Sequence, residues 1–290
     1  ICRGEQLQQG LAVQFQGAMN QRMVLAHRAG QLDIAARRAQ ALTGGIQLTP
    51  TFLPGLSLSV DYFDIKVDGY VSRIQGGTSG LVTACFAQNI TSAAQLAADP
   101  YCRLLSRRPN GDLLATVPLT NEASLGVNNV LKTRGIDFAA GYELGLGGDS
   151  KLGLSSNVTY LMDYKFNGDE FASLASGDFG TFPTWKANTR VTYRNDDFSL
   201  SLNWQYFGKV TDTQGDITDT AGFTSIKAQN YFDLNARFSV SDSFEFFGGV
   251  QNLLDKQPPP VYSGSSSTNT DEVVYDTLGR RYFMGAKISF

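Results

Sequence analysis

Three observations predict an all-β fold, an antiparallel transmembrane β-barrel wall of about nine strands taken from a larger barrel. Charged residues make up 18% of the 290, low against roughly 25% in soluble domains, while Gly, Phe and Tyr number 30, 19 and 12. Hydrophobicity alternates with period two through segments of about ten residues. Connections alternate between short turns and long excursions, whereas a sandwich would place turns at regular, close intervals.

Strands are expected near residues 38–49, 56–67, 132–146, 151–164, 184–194, 198–208, 230–240, 244–252 and 280–290. Turn chemistry bounds the first pair, with Pro50 and Pro54-Gly55 between its members. In the second strand Leu56, Leu58, Val60 and Tyr62 share a parity and Phe63, Ile65 and Val67 take the other, so a bulge or a change of environment above the bilayer is expected there. Gly147-Gly148-Asp149-Ser150 separates the third strand from the fourth. In the fourth, Leu152, Leu154, Val158 and Tyr160 alternate with Gly153, Ser155, Asn157 and Thr159. Trp185, Ala187, Val191 and Tyr193 do the same against Lys186, Asn188, Arg190 and Arg194 in the fifth. After Asn195-Asp196-Asp197 the sixth sets Phe198, Leu200, Leu202, Trp204 and Tyr206 against Ser199, Ser201, Asn203 and Gln205. Ser241-Asp242-Ser243 joins the seventh and eighth, and in the last strand Tyr282, Met284, Ala286, Ile288 and Phe290 share one parity.

So many wet positions opposite oily ones suit lipid on one side and a water-filled lumen on the other. With short turns on the periplasmic side, the long loops 68–131, 165–183, 209–229 and 253–279 face outward. Residues 1–35 are expected to be an extracellular loop remnant and 36–290 the barrel strands. Ile1 is not an initiator Met, and the chain reads as a fragment of something longer.

Composition also excludes. A formal charge of −3 leaves no basic excess for a phosphate backbone, so no nucleic-acid partner is expected. Three cysteines and the lone His27 leave no clustered zinc set and no triad. The glycines from Gly145 to Gly148 precede no helix pattern and no Lys-Ser/Thr, so they read as a turn rather than a nucleotide loop. No enzymatic activity, metal site or cofactor is expected.

The C-terminal segment carries a more specific pattern. Phe246-Phe247-Gly248-Gly249-Val250-Gln251-Asn252-Leu253-Leu254-Asp255-Lys256, then Tyr275-Asp276, Gly279-Arg280-Arg281-Tyr282-Phe283 and a terminal Phe290, resemble the closing strands of TonB-dependent outer-membrane receptors. Upstream, Leu56 to Lys66 resembles a mid-barrel strand of that family, and Thr133-Arg134-Gly135-Ile136-Asp137-Phe138 a later one. The family's N-terminal plug domain and energy-coupling box have no counterpart here, and Gly30 to Ala35 departs from the family's pattern. The resemblance implies the C-terminal part of a barrel of about 22 strands in a Gram-negative outer membrane. It implies import of a scarce nutrient such as a ferric siderophore, cobalamin or an oligosaccharide. Implied partners are the missing plug and barrel strands, an inner-membrane energy-transducing complex reached through the plug, the outer-membrane assembly machinery, and membrane lipid and lipopolysaccharide. A passive porin, or an anchor or adhesin barrel without energy coupling, is the alternative, and a soluble all-β binding module is a third reading.

Within that setting Cys85 and Cys102, inside the longest loop and bracketing an Ala-rich stretch with helical propensity, are expected to form a disulfide; two free thiols or a metal site are the alternatives. Cys2 is left odd. Arg103, Arg107 and Arg108 are candidate contacts for an anionic ligand, for lipopolysaccharide phosphates, or for water alone. Tyr62, Trp185, Trp204, Tyr206 and Tyr282 fit an interfacial girdle, or ordinary packing. Tyr282, Met284, Ile288 and Phe290 are the expected assembly signal of the last strand.

Overall fold

A computed structural model describes residues 11–16, 21–25, 28–29, 32–33, 37–70, 85, 90–99, 102, 129–176, 180–212, 225–241, 243–261 and 269–289. In chain order the strands are β1 (Leu11–Gln16), β2 (Gln21–Leu25), β3 (Arg28–Ala29), β4 (Leu32–Asp33), β5 (Arg37–Pro50), β6 (Leu56–Asp68), β7 (Val130–Gly147), β8 (Ser150–Phe166) and β9 (Asp169–Glu170). They continue with β10 (Leu174–Ser176), β11 (Gly180–Thr181), β12 (Trp185–Arg194), β13 (Phe198–Phe207), β14 (Val210–Asp212), β15 (Ser225–Ile226), β16 (Gln229–Ser241), β17 (Phe244–Gln251) and β18 (Arg281–Ile288). The helix α1 (Ala93–Ala98) lies between β6 and β7.

The main sheet runs β1-β5-β6-β7-β8-β12-β13-β16-β17-β18, antiparallel throughout, with β2 also on β5 and β9 on β8. All nine expected strands are present within two residues of their expected ends. The sheet is open, with β1 and β18 at its edges.

One expectation is corrected. Residues 11–16 and 21–25, expected to be loop, are strands laid end to end along the free edge of β5, Leu11 opposite Pro50 and Leu25 opposite Arg37. The edge of β5 carries a row of backbone N–H and C=O groups that need partners, and these segments supply them. The registers of β1 and β2 on β5 differ by one residue, Gln16 lying opposite Gly45 and Gln21 opposite Ala41. Among the described residues the wall is thereby ten strands wide.

Pairing sorts the residues into two faces. Leu56, Tyr142, Leu154, Val191, Leu202, Leu234, Val250 and Tyr282 stand side by side across eight strands. One step away, on the opposite face, runs the row Ser57, Gly141, Ser155, Arg190, Asn203 and Asp233. The apolar face is largely exposed, including Ile46, Val60, Leu200 and Phe246, as befits a surface solvated by lipid rather than by a core. Its few hydroxyls satisfy each other, Ser156 with Thr189 at 2.8 Å. The polar face is knitted laterally: the Thr159 hydroxyl donates to Asp137 (2.6 Å), Gln205 donates to Asp233 (3.1 Å), and Thr192 bonds with Ser201 (3.0 Å).

The two parities of β6 have a definite cause. β6 pairs with β5 and β7 without any register shift, so the change is one of environment and not a bulge. Above Tyr62 the outward positions become charged. Lys66 pairs with Asp68 (2.9 Å), Lys132 with Asp64 (3.6 Å), Arg134 with Asp163, and Lys165 with Asp163 (3.3 Å) and Glu170 (3.7 Å). A bulge does occur two strands away, where Arg134 faces Asp163 and Gly135 faces Leu161, leaving Met162 as the extra residue. It switches the phase of β8 so that Asp163 and Lys165 stay outside while Tyr164 and Phe166 turn inward. Polarity thus inverts along the wall: oily outside and wet inside at the turn half, charged outside and aromatic inside at the loop end.

Candidate functional site at the loop end of the wall

Inward-facing aromatics at the loop end meet the loops. Tyr164 stacks on Phe182 with ring centroids 4.1 Å apart, and Tyr70 meets Phe166 edge-on at 6.1 Å. Beyond them β11-β10-β14-β15 form a second sheet, in which β10 and β14 are parallel. Its strands come from two different excursions, 167–184 and 208–228. Ala175, Val210 and Ile226 from this sheet, Val261 and Tyr275 from the last loop, and Tyr231 from β16 form the buried core, with Phe207 of β13 packed against it. Tyr231 and Phe207 lie on the lumenal parity, in the rows of Asn188–Gln205 and Lys186. The described parts of three successive loops therefore pack together on the inner side of the wall's loop end, as one cap.

Asn252, 1% exposed, anchors the base of the last loop. Its backbone N–H donates to Asp233 (2.9 Å), and its carboxamide donates to the Lys256 carbonyl (2.9 Å) and to Asp276 (3.0 Å) while accepting from the Lys256 N–H (2.7 Å). Arg281 donates to Asp276 (2.8 Å) and to Gln251 (3.0 Å), and the Arg280 N–H donates to Asp255 (3.0 Å). Asn252 and Asp255 take φ of 48° and 54°, the left-handed region that Asn and Asp tolerate best among side-chain-bearing residues. Burial alone would push the Asp276 carboxyl up, but hydrogen bonds from Arg281, the Leu278 N–H and Asn252 outweigh it and hold the group below the ordinary carboxylate value. The Tyr275 phenol is pushed up by burial, with Asp271 and Tyr231 adding to the shift. The motif Asn-Leu-Leu-Asp…Tyr-Asp…Gly-Arg-Arg is thus a clamp that closes the loop and sets where β18 starts.

Cys85 and Cys102 are bonded, with Cα atoms 4.8 Å apart. Between them α1 is capped by Ser92, whose hydroxyl accepts from the Gln95 N–H, while Gln95 reaches back to Thr91. The candidate anion contacts Arg103, Arg107 and Arg108, like Cys2, His27 and Phe290, lie outside the described residues. Tyr282, Met284 and Ile288 all point outward from β18, 73%, 94% and 56% exposed. Tyr160 and Trp185, directly paired, lie 4.5 Å apart on the outward face in the row of Tyr62, next to the charged band. Trp204 and Tyr206, 5.9 Å apart, lie on the same face in the rows of Leu58 and Val60. At the turn half the inner face forms a cleft of about 890 Å³ lined by Arg190, Arg194, Ser201, Asn235, Phe247 and Phe283. Among the described residues no group of three His, Cys, Asp or Glu side chains is placed to hold a metal. The cap and the clamp were not foreseen from the sequence; the spacing of the C-terminal motif signalled the clamp, and nothing local signalled the cap.

An apolar outward band, a wet inner face and loops packed together at one end define the wall of an outer-membrane-type barrel. Residues 13–253 match the family model "TonB dependent receptor-like, beta-barrel", and the chain belongs to that family. The fold is shared with the ferripyoverdine receptor of the outer membrane of Pseudomonas aeruginosa, solved with ferripyoverdine bound (TM-score 0.54, 13% identity, 94% of this chain and 30% of that one). It is shared too with the siderophore receptor PirA from Acinetobacter baumannii (0.50, 16%, 89% and 32%) and the copper transporter OprC (0.50, 17%, 89% and 31%). The chain spans about a third of the length of these structures. No curated protein sequence matches it.

Proposed function

We propose that this chain is the C-terminal wall of an outer-membrane receptor of Gram-negative bacteria that imports a scarce nutrient of the ferric-siderophore class by energy-coupled transport. The observation that carries the reading is the family match over residues 13–253, which takes in the wall from β1 to β17. Siderophore receptors among the structures of like fold support the substrate class, and the cap gives a ligand arriving from outside a preformed surface to meet. In this reading the plug and the remaining strands complete the lumen, and an inner-membrane energy-transducing complex acts on the plug. Arg103, Arg107 and Arg108 meet the ligand or lipopolysaccharide phosphate in the longest loop. The outward row of Tyr282, Met284 and Ile288, with Phe290, is read by the assembly machinery. The wall contributes binding and enclosure, and no covalent step.

The test is uptake of radiolabelled ferric siderophore by cells carrying the full-length gene or its deletion, with and without a protonophore. Saturable uptake that is lost on deletion and on collapse of the proton-motive force is expected. Uptake that survives the protonophore would assign the barrel to passive diffusion instead.

A further inference from the structure

Strands joined by a tight turn have their register set by that turn, but β17 and β18 are joined by residues 252–280, and β6 and β7 by residues 69–129. Slippage by one residue would turn every side chain to the wrong face. Slippage by two keeps oily residues out and polar ones in, so the alternation itself does not forbid it.

On the inner face of β17 and β18 the residues form a checkerboard. Phe247 stands directly opposite Gly285, and Gly249 directly opposite Phe283. Each ring lies over the facing glycine: a Cβ on Gly285 would collide with the Phe247 ring, and one on Gly249 would come within 2.8 Å of Phe283 Cζ. Shifted two residues one way, Phe247 faces Phe283. Shifted the other way, Gly249 faces Gly285 and both rings lose their seats. The same device recurs once: Phe63 stands opposite Gly135 in β6 and β7, and a Cβ there would come within 2.6 Å of the Phe63 ring. Among the described residues these three ring-over-glycine pairs all fall between strands joined by long excursions, and none falls in the hairpins closed by short turns.

We propose that the reciprocal Phe247–Gly285 and Phe283–Gly249 pairs are a register key, which fixes the height at which β18 offers its free edge to the strand that closes the barrel. A two-residue slip moves that edge by about 7 Å, enough to change the stagger on which closure depends. The inference rests on the chain being barrel wall, and not on what the barrel transports.

Register is read by cysteine trapping in the full-length receptor isolated from outer membranes. Glu245→Cys with Lys287→Cys reports the native pairing, and Glu245→Cys with Ser289→Cys the slipped one. The unaltered key should give native crosslinks almost alone. Phe247→Leu with Phe283→Leu, which removes the rings without adding bulk, should raise the slipped-to-native ratio about tenfold. Gly249 cannot carry a ring, because a Cβ there also meets the Leu234 carbonyl at 2.6 Å. Exchanging only the other pair (F247G with G285F) keeps two rings and two glycines but lets the slipped register seat the moved ring over Gly249, so this variant should slip as freely as the double leucine one. If either variant inserts and crosslinks only in the native register, the key is refuted. Uptake is not the readout, so the key stands or falls separately from the transport assignment.

Discussion

Asp276 carries more of the last loop than its place in the sequence suggests. It receives Asn252, Arg281 and the Leu278 N–H, so removing its charge loosens the clamp at several points together. Asp276→Asn should destabilise the loop base by about 1–2 kcal/mol, allowing for the partial solvent exposure of Arg281, read as earlier proteolysis between residues 252 and 280. The pH dependence has a fixed sign. Because the folded carboxyl titrates below its ordinary value of 3.8, its contribution is complete above that value and is lost as pH falls through the lower, folded one. Protease resistance of the loop should therefore hold through pH 5 and fall only in stronger acid, and the Asn variant should lack that acid step.

Strands in this wall are defined by what each face touches. Leu202, beside Val191 and Leu234, faces lipid; Ser201, one residue away, faces the lumen beside Thr192 and Asn235. Leu202→Arg should cost about 2–4 kcal/mol near mid-membrane, and Ser201→Arg much less. Unfolding from detergent or bilayer, followed by loss of heat-modifiable mobility, measures both, and equal tolerance would contradict the face assignment. β6 shows the limit of reading an element alone. Its two parities were plain in Leu56 to Val67, but the choice between a bulge and a changed environment needed β5 and β7 beside it, because a bulge is a property of a pair. The bulge lies instead at Met162, in a strand whose sequence gave no warning.

At the scale of the molecule the buried core is not between layers of the wall but above it, in the cap. Val210, 2% exposed, joins β14 to residues from β10, β15 and the last loop. Val210→Ala should lower hydrogen-exchange protection of 174–176, 225–226 and 274–275 together, since a shared core opens as a unit. Protection lost at 210–212 alone would mean three independent loops.

The sequence by itself determined the strands, their faces, the turns and the family pattern, because period-two alternation and turn chemistry are written in residues within a few positions of one another. Gly147 and Gly148, with φ of 98° and 58°, were readable as a turn for that reason. It was silent on what depends on distant partners. Leu11, Val13 and Phe15 alternate with Ala12, Gln14 and Gln16, yet so short a run reads as strand only once β5 presents an open edge to it. The cap gathers Ala175, Val210, Ile226 and Val261 from segments that look like ordinary polar loop, and joins to them Tyr231 from a strand end and Tyr275 from the C-terminal motif. Only the tertiary structure could decide these, because burial there is created by neighbours that the local pattern does not contain.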